Sequence, residues 1–544
     1  KWAAYTFRET HPDFTKKAAE ARKETGGSDP AIAFESTWYR LDGDSTFGEQ
    51  RYKLYLLNLA THESTLISAD SPMGEYSFAW NPDSTKLIFA RSVEPDPFVA
   101  KPNDQLFIYT VGGSVTSLPV LPKGHKSALK WSPDGAWISL AGNTDQEDTW
   151  GTRNTHLYLV KPDGSGFRDL TGATDYDFDV ASLGDAKDAP DGANYFWSAD
   201  STTIWAQLGH FGSSVLAKVD VATGNVELKT PEKQCLFLGD SNNATSTVPG
   251  ILCKDTLLPR LVSVDLDSGA ITELASFNDA YEAEVNIIAP TEEWVVSPDG
   301  TKVHTWIIKP EGSVMPGILE VHGGPHTQYA FTMFHEFQVL AAQGYVVVYS
   351  NPRGSKGYGE AHCAAIRGDW GNADWIDVKS VSDWMAAQSY IDQDRIGIMG
   401  GSYGGYMTNW AIGHSDQYRA AITDRCVSNL VSMSGNSDFP VNRDEYFRGT
   451  AWGDLNDIAE LWKQSPISHF VGVKTPTLII HSEGDLRCNI EQSEQVFIAL
   501  KMQGVETRFV RYPKSTSHGM SRTGPADLKM HRLNEIVSWW KRFF

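Results

Sequence analysis

The sequence predicts two domains, an all-β domain at residues 1–288 and an α/β domain at residues 289–544. Before residue 290, a tryptophan-containing turn followed by alternating apolar positions recurs, which is typical of antiparallel strands. After residue 290, strand-like apolar runs alternate with helix-length segments, which indicates a mostly parallel sheet. In that half, Gly400-Gly-Ser-Tyr-Gly404 forms a tight turn between an apolar run and a helix. A chain of 544 residues is long enough for more than one hydrophobic core.

Composition excludes several classes of function. The chain has 68 acidic and 47 basic residues, a formal net charge of -21, whereas a nucleic-acid surface needs a basic stripe. No apolar run reaches the roughly 18 residues of a membrane-spanning helix, so no membrane partner is expected. No pair of cysteines has zinc-finger or CxxC spacing, and no cofactor or metal is expected.

The five cysteines are few, odd in number and widely spaced. This usage favours buried thiols in a reducing compartment, so a cytoplasmic protein is expected. A bridge between Cys235 and Cys253 stays open as an alternative.

The N-terminal half contains a degenerate repeat, with copies at Phe78–Ala90, Leu129–Ala141 and Tyr195–Ala206. In each copy a Trp-(Ser/Asn) turn with an aspartate precedes an alternating strand, which predicts antiparallel hairpins. A strand repeat of roughly 40–60 residues predicts an all-β propeller, of which about five blades are visible. The tryptophans are expected to pack between blades. Lys1–Thr6 resembles a strand without its preceding turn, so the sequence is expected to begin inside a blade.

The C-terminal half predicts a parallel sheet covered by helices on both faces. In such a sheet, sites lie beyond the carboxyl ends of the strands. The predicted strands are Lys302–Ile308, Gly317–His322, Tyr345–Tyr349, Arg395–Met399, Ala420–Thr423, Thr477–His481 and Thr507–Tyr512. The predicted helices are His335–Gln343, Ala373–Gln388, Gly404–Ile412, Glu491–Gln503 and Ala526–Phe543.

Four of these strand ends carry the components of a serine hydrolase. Ser402 lies in a Gly-x-Ser-x-Gly turn, and Asp485 and His518 follow in the chain order of α/β-hydrolases. The strand that ends in His-Gly-Gly-Pro would supply the backbone N–H of Gly324 to an oxyanion hole, with the N–H of Tyr403 as its other donor. The sequence therefore predicts an α/β-hydrolase domain with a Ser-Asp-His triad.

Alternatives remain for residues around this triad. Glu483 could replace Asp485 in the third role. His322 and His326 are expected to be structural or to shape the pocket. Asp424 and Arg425 could pair with each other, or Arg425 could reach into the site.

The substrate pocket is predicted in the segment Cys426–Trp452. Its aromatic residues could line an apolar pocket for the residue before the scissile bond, or they could belong to the core. They are Phe439, Tyr446, Phe447 and Trp452, with Arg425 as a further candidate.

The chain resembles the prolyl oligopeptidase family of serine peptidases, and within it the acylaminoacyl-peptidase branch. The resemblance rests on Glu320–His326, Asn351–Ser355, Gly400–Trp410, Arg487–Gln492 and Ser517–Gly519. It implies a β-propeller that restricts entry, so that short peptides are the substrates. It also implies about seven blades, and hence a missing N-terminal piece. A homo-oligomer is suggested by the family, although no sequence feature demands one. Relatives often read His-Gly where this chain has His481-Ser482, which should alter only a turn.

The predicted activity is peptide hydrolysis through an acyl-enzyme, with release of N-acylated amino acids or cleavage of oligopeptides. A dipeptidyl peptidase or aminopeptidase is one alternative, but it needs a paired-glutamate anchor. The candidates, Glu292-Glu293 and Glu282 with Glu284, fall near the domain junction. A small-molecule esterase or amidase is a further alternative. The intact set of Ser402, Asp485 and His518 argues against a propeller scaffold with a dead hydrolase.

Overall fold

The computed structural model describes residues 1–96, 99–145, 151–185, 192–241, 245–439 and 446–544. The chain divides into two compact units. One comprises Lys1–Thr149, His156–Gly172 and Asp438–Pro440, and the other comprises Trp150–Thr155, Ala173–Ser437 and Val441–Phe544.

The first unit consists of small antiparallel sheets, with the strand orders β1-β4-β5, β2-β3, β6-β7-β8-β9 and β10-β11-β12-β13. The strands are β1 (Trp2–Phe7), β2 (Arg40–Leu41), β3 (Ser45–Thr46), β4 (Lys53–Asn58), β5 (Ser64–Ser68), β6 (Ser77–Trp80), β7 (Lys86–Ser92), β8 (Asp104–Thr110), β9 (Val115–Ser117), β10 (Lys126–Trp131), β11 (Ile138–Gly142), β12 (His156–Val160) and β13 (Arg168–Asp169). A 3-10 turn at Pro12–Phe14 precedes helix α1 (Lys16–Thr25).

The second unit begins with a mixed sheet whose path is β14-β15-β16-β18-β19-β20-β21, with β17 paired to β16. Its strands are β14 (Tyr195–Trp197), β15 (Thr203–His210), β16 (Ser213–Asp220), β17 (Val226–Leu228), β18 (Cys235–Leu238), β19 (Thr247–Lys254), β20 (Leu257–Asp265) and β21 (Ile271–Ser276), and helix α2 (Asp279–Glu284) follows. All pairings are antiparallel except that of β16 with β18.

The three copies of the sequence repeat form the predicted hairpins β6–β7, β10–β11 and β14–β15. Aspartate side chains explain why the turns form. Asp134 accepts hydrogen bonds from the Ser132 hydroxyl at 2.6 Å and from the Ala136 N–H at 3.0 Å, and Asp200 accepts equivalent bonds in the third copy. Such side-chain bonds to the local backbone favour a tight turn. The β-rich N-terminal part is confirmed, whereas the number and closure of blades stay predictions.

The C-terminal part forms one eight-stranded sheet in the order β22-β23-β25-β24-β26-β27-β28-β29. The strands are β22 (Thr291–Val296), β23 (Lys302–Ile308), β24 (Met315–Val321), β25 (Val346–Asn351), β26 (Ile391–Gly401), β27 (Ala420–Asp424), β28 (Thr477–Ser482) and β29 (Thr507–Tyr512). The six strands β24 to β29 are mutually parallel. Strands β22 and β23 extend one edge of the sheet with antiparallel pairings. The carboxyl ends of β24, β26, β28 and β29 therefore share one edge of the sheet.

Helices connect these strands, as expected for a parallel sheet. They are α3 (His335–Ala342), α4 (Glu360–Ala364), α5 (Ala373–Ala386), α6 (Tyr403–His414), α7 (Leu430–Asn436), α8 (Leu455–Lys463), α9 (Glu491–Met502), α10 (Met520–Thr523) and α11 (Ala526–Phe543), with a 3-10 turn at Pro466–His469. A core cluster joins this sheet to α3 and α11 and includes Trp306, Tyr349, Ile422 and Trp540. The predicted parallel sheet is confirmed.

All five cysteines are buried thiols. Cys235 and Cys253 lie opposite each other on β18 and β19 and are not joined by a disulfide. Within the described parts of the chain, every helix is too short or too polar to cross a bilayer.

Replacing Gly404 with alanine should lower stability by about 1–3 kcal/mol, the usual range for an overpacked site. A Cβ at this position would overlap the Val321 carbonyl oxygen, so α6 would have to move away from β24. The measurement is the apparent melting temperature.

Gly435→Ala in α7 is the matched control. There the nearest atom would be a Trp452 ring carbon at 3.5 Å, an ordinary contact, and alanine favours a helix more than glycine does. Equal melting temperatures for the two variants would contradict the prediction.

Candidate active site

Ser402 occupies a strained turn between β26 and α6. Its backbone has φ 63° and ψ −122°, a conformation that costs a non-glycine residue roughly 1–3 kcal/mol. Two hydrogen bonds hold the turn: the Ser402 N–H donates to the Asp424 carbonyl at 3.0 Å, and the Tyr406 N–H donates to the Ser402 carbonyl at 2.9 Å. The turn therefore presents the serine at the carboxyl end of the sheet.

Glycines around Ser402 allow this close packing. A Cβ on Gly401 would lie 2.6 Å from a guanidinium nitrogen of Arg425, and one on Gly404 would overlap the Val321 carbonyl. Across the turn, a Cβ on Gly323 would lie 3.9 Å from the Ser402 hydroxyl oxygen. The loop after β24 thus lies directly beside the serine.

The two backbone N–H groups predicted to form an oxyanion hole belong to the first residue of α6 and to the loop after β24. Tyr403 is the first residue of α6, so its N–H has no partner within the helix. Gly324, at φ 114°, lies in the loop after β24, which runs beside Ser402. A helix N-terminus also favours negative charge.

The side chain of Tyr403 is anchored by Asp374. Its hydroxyl donates to Asp374 Oδ2 at 2.5 Å, and the Gly371 and Trp375 N–H groups donate to Oδ1 at 2.8 and 2.9 Å. Burial raises the pKa of Asp374 to about 6, although these hydrogen bonds oppose the shift. This carboxyl therefore links α5 to the first residue of α6.

Asp485 and His518 are hydrogen-bonded. His518 Nδ1 lies 2.7 Å from Asp485 Oδ2, and the Arg487 and Cys488 N–H groups donate to Oδ1 at 3.0 and 2.9 Å. His481 Nε2 lies 3.2 Å from Oδ2. Asp485 is 1% exposed.

The electrostatic surroundings keep Asp485 ionised. Burial alone would raise its pKa, but the charge of His518 and the hydrogen bond from His481 outweigh burial and lower the pKa well below the usual range. The alternative carboxylate, Glu483, instead pairs with Arg511 at 3.2 Å with a partly exposed side chain.

His322 and His326 have structural partners. His322 lies between the Gly323 carbonyl at 2.6 Å and the Ser355 hydroxyl at 2.9 Å. His326 Nδ1 lies 2.8 Å from the Gly354 carbonyl, and its Nε2 lies 2.5 Å from the Tyr446 hydroxyl. Burial lowers the pKa of His322 to about 4 and that of His326 to about 3, so both rings are neutral at pH 7.

The pocket candidates have different environments. Tyr446 and Phe447 are buried and pack edge-on against Trp370, and Tyr446 also accepts the Trp370 indole N–H at 2.9 Å. Trp452 is 71% exposed. Phe439 is half-buried and belongs to the short piece grouped with the first unit. The pocket itself stays a prediction.

Arg425 and Asp424 form an ion pair with an N–O distance of 2.7 Å. This pairing is one of the two arrangements that the sequence left open for Arg425. Asp424 also pairs with Arg532 of α11 at 2.8 Å, and Arg532 contacts Glu336 of α3. Burial and the nearby Glu336 raise the pKa of Glu320 on β24, and among the described residues its Oε1 has no hydrogen-bond partner. A raised pKa favours the uncharged form of Glu320, which would not add to the negative charges of Asp424 and Glu336.

Sequence reasoning missed Asp374 and Arg532. An acidic residue in the first turn of α5 is a local signal for Asp374. Arg532 has no comparable signal, because its contacts join α11 to β27 over more than a hundred residues. Within the described ranges, no three His, Cys, Asp or Glu side chains are grouped to hold a metal.

Residues 330–544 match the model of the prolyl oligopeptidase family. An uncharacterized peptidase of Bacillus subtilis is 46% identical over 277 residues, which are 49% of this chain and 41% of that protein. The dipeptidyl-peptidase 5 of Porphyromonas gingivalis is 26% identical over 471 residues, which are 82% of this chain and 64% of that protein.

An acylaminoacyl peptidase of Pyrococcus horikoshii has the same fold. Its structure superposes with a TM-score of 0.80 at 23% identity and covers 100% of this chain and 80% of its own. The chain spans 41% and 64% of the length of the two curated relatives above. Within the residues that match this family model, Ser402, Asp485 and His518 each follow a parallel strand of the same sheet.

Asp374→Asn should become more stable relative to the native protein as pH rises from about 4 to about 6. The pKa of Asp374 is raised in the folded state, whereas an unfolded aspartate titrates near 3.9, so ionisation within this window weakens folding by roughly 2 kcal/mol. An asparagine does not titrate, and its carbonyl can still accept the Gly371 and Trp375 N–H groups.

The measurement is the urea midpoint of both proteins at pH 4.5 and pH 7.5. Other carboxyl groups titrate in both proteins and cancel in the comparison. If the urea midpoints of Asp374→Asn and the native protein differed by the same amount at both pH values, the raised pKa of Asp374 would be contradicted.

Proposed function

We propose that this chain is a serine peptidase that hydrolyses short peptides through an acyl-enzyme on Ser402. The observation that carries the proposal is the hydrogen bond between His518 and the buried Asp485, at the sheet edge where the strained Ser402 turn lies. A serine, a histidine and a carboxylate in these roles are the components of acyl transfer.

The hydrogen bonds assign a role to each group. Ionised Asp485 can only accept, so His518 Nδ1 carries the proton and Nε2 has the lone pair. His518 would take the Ser402 proton as the hydroxyl oxygen attacks the scissile carbonyl, and would return it to the leaving amine. The Tyr403 and Gly324 N–H groups would bind the oxyanion, each with an effect of roughly 3 kcal/mol.

N-acylated peptides are the substrate class that we favour. The likeness to the acylaminoacyl peptidase fold extends over the whole of this chain, including its β-rich part. In this proposal residues 289–544 are the catalytic domain, and residues 1–288 are a propeller that limits entry to short peptides. The aromatic residues Tyr446 and Phe447 remain candidates for the pocket.

A dipeptidyl peptidase is the second candidate. The match to the dipeptidyl-peptidase 5 of Porphyromonas gingivalis covers 82% of this chain, so it includes much of the β-rich part as well as the catalytic part. Such an enzyme must hold a free amino terminus, whereas an enzyme for N-acylated peptides does not.

Ser402→Ala should abolish hydrolysis, and Asp485→Asn should lower kcat by about 10⁴-fold, because asparagine disfavours the active tautomer of His518. Glu483→Gln is the matched control, and its activity should stay within about two-fold, because Glu483 pairs with Arg511 at the surface. The measurement is kcat on a chromogenic peptide. A greater loss in Glu483→Gln than in Asp485→Asn would reassign the third role.

An N-acetylated chromogenic peptide should be cleaved at least about ten-fold faster than the same peptide with a free amino terminus, since burying an uncompensated ammonium group is unfavourable. The two peptides share one apolar residue before the scissile bond, and kcat/KM is measured for each. The Ser402→Ala protein measures background hydrolysis. A preference for the free amine would favour the dipeptidyl peptidase.

A further inference from the structure

A second histidine, His481, contacts the carboxylate that holds His518. It lies on β28 four residues before Asp485 and is 1% exposed. Its Nε2 is 2.6 Å from the Cys488 carbonyl and 3.2 Å from Asp485 Oδ2, and its Nδ1 is 2.6 Å from the Ser493 hydroxyl. Every polar atom of the ring therefore has a partner.

These partners fix the tautomer of His481. A carbonyl can only accept, so Nε2 carries the hydrogen and donates it to the Cys488 carbonyl, while Asp485 Oδ2 lies 3.2 Å from the same nitrogen. In the neutral ring, Nδ1 then accepts from the Ser493 hydroxyl, whose oxygen lies 3.3 Å from the Cys426 sulfur. A hydrogen-bonded chain thus leads from Cys426 through Ser493 and His481 to Asp485 and His518.

We propose that His481 is a positioning residue that shares the Oδ2 atom of Asp485 with His518 and so limits how strongly the carboxylate holds the His518 proton. This inference rests on the proposed function of the Ser402, Asp485 and His518 set.

The distribution of donors over Asp485 supports this role. Oδ1 accepts two backbone N–H groups, from Arg487 and Cys488, which tie it to the loop after β28. Oδ2 accepts from His518 at 2.7 Å, and the N–H of His481, which donates to the Cys488 carbonyl at 2.6 Å, lies beside the same oxygen, with Nε2 at 3.2 Å. A second donor on one carboxylate oxygen reduces the charge available to the first, and it also fixes the plane of the carboxylate.

Charged groups near His481 lie on β27 and on β29, where Arg511 is the register partner of His481 and pairs with Glu483 and Glu494. His481 interacts with the charge of Asp424, which is paired with Arg425 and Arg532. This cluster is unchanged by substitution at His481, so it contributes equally to the pH profile of each variant.

The test compares His481→Leu with His481→Gln on the chromogenic peptide. Leucine removes the donor, so kcat should fall about ten-fold with little change in KM, because His481 does not touch substrate. The acid limb of the kcat/KM profile should move about 0.5 pH unit higher, since Asp485 then holds the imidazolium more strongly. Glutamine places an N–H near the position of Nε2, so it should restore the limb and keep kcat within about two-fold.

The proposal would be overturned if the acid limb of His481→Leu coincided with that of the native protein. His481 would then act only through packing. If that variant does not fold, Ser493→Ala replaces it. Loss of the hydroxyl weakens the Nε2 donor, so a smaller shift in the same direction is expected and an unmoved limb overturns the proposal. Residual activity in Ser402→Ala would instead count against the proposed function.

Discussion

Asp485 is a carboxylate withdrawn from water, and such a charge is stable in a protein only when its oxygens accept hydrogen bonds. Two backbone N–H groups after β28 and the ring of His518 donate to these oxygens, and His481 Nε2 lies 3.2 Å from one of them. The backbone donors determine the shape of the loop, and His518 must reach the same carboxylate from the loop after β29. Because β28 and β29 are adjacent and parallel, that reach is short. Solvation of one buried charge therefore constrains two strand ends together.

The Ser402 turn poses the opposite problem, since its backbone is strained and must be held in place. Contacts from three directions do this. The Asp424 carbonyl on β27 accepts the Ser402 N–H, the Tyr403 hydroxyl is fixed by Asp374 on α5, and Gly404 lies against β24 without room for a side chain. A strain of roughly 1–3 kcal/mol persists when surrounding structure determines the conformation several times over. The turn is thus a property of the packed domain, although its sequence is local.

Local patterns were sufficient for much of the fold. The strands Lys302–Ile308 and Thr507–Tyr512 have the predicted bounds, and the helix expected from Gly404 begins one residue earlier. The strand Ile391–Gly401 is longer than the predicted strand Arg395–Met399. The sequence Asp392-Gln-Asp394 is typical of a turn, but in the structure Ile391 already pairs with Met315. Helix α8 was missed despite its Asp454 capping box. For the candidate site, chain order and strand ends predicted Ser402, Asp485 and His518, of which Asp485 and His518 are hydrogen-bonded in the structure. The partners of Asp374, His481 and Arg532 depend on how elements distant in sequence pack. A periodic pattern of apolar residues within one element does not predict such contacts.

The ion pairs behind the Ser402 turn show why distant elements matter. Asp424, whose carbonyl holds Ser402, is buried at the end of β27, and a buried carboxylate without a cation is strongly unfavourable. Arg425 and Arg532 supply two cations, and Glu336 of α3 balances the second of them. Glu320 lies in the same region, and burial together with the nearby Glu336 raises its pKa, which disfavours a third negative charge there. The cluster is therefore close to neutral only when α3, α11 and β27 are all in place. The last helix of the chain thus contributes a charge, in addition to its apolar face, to the strand end that fixes the Ser402 turn.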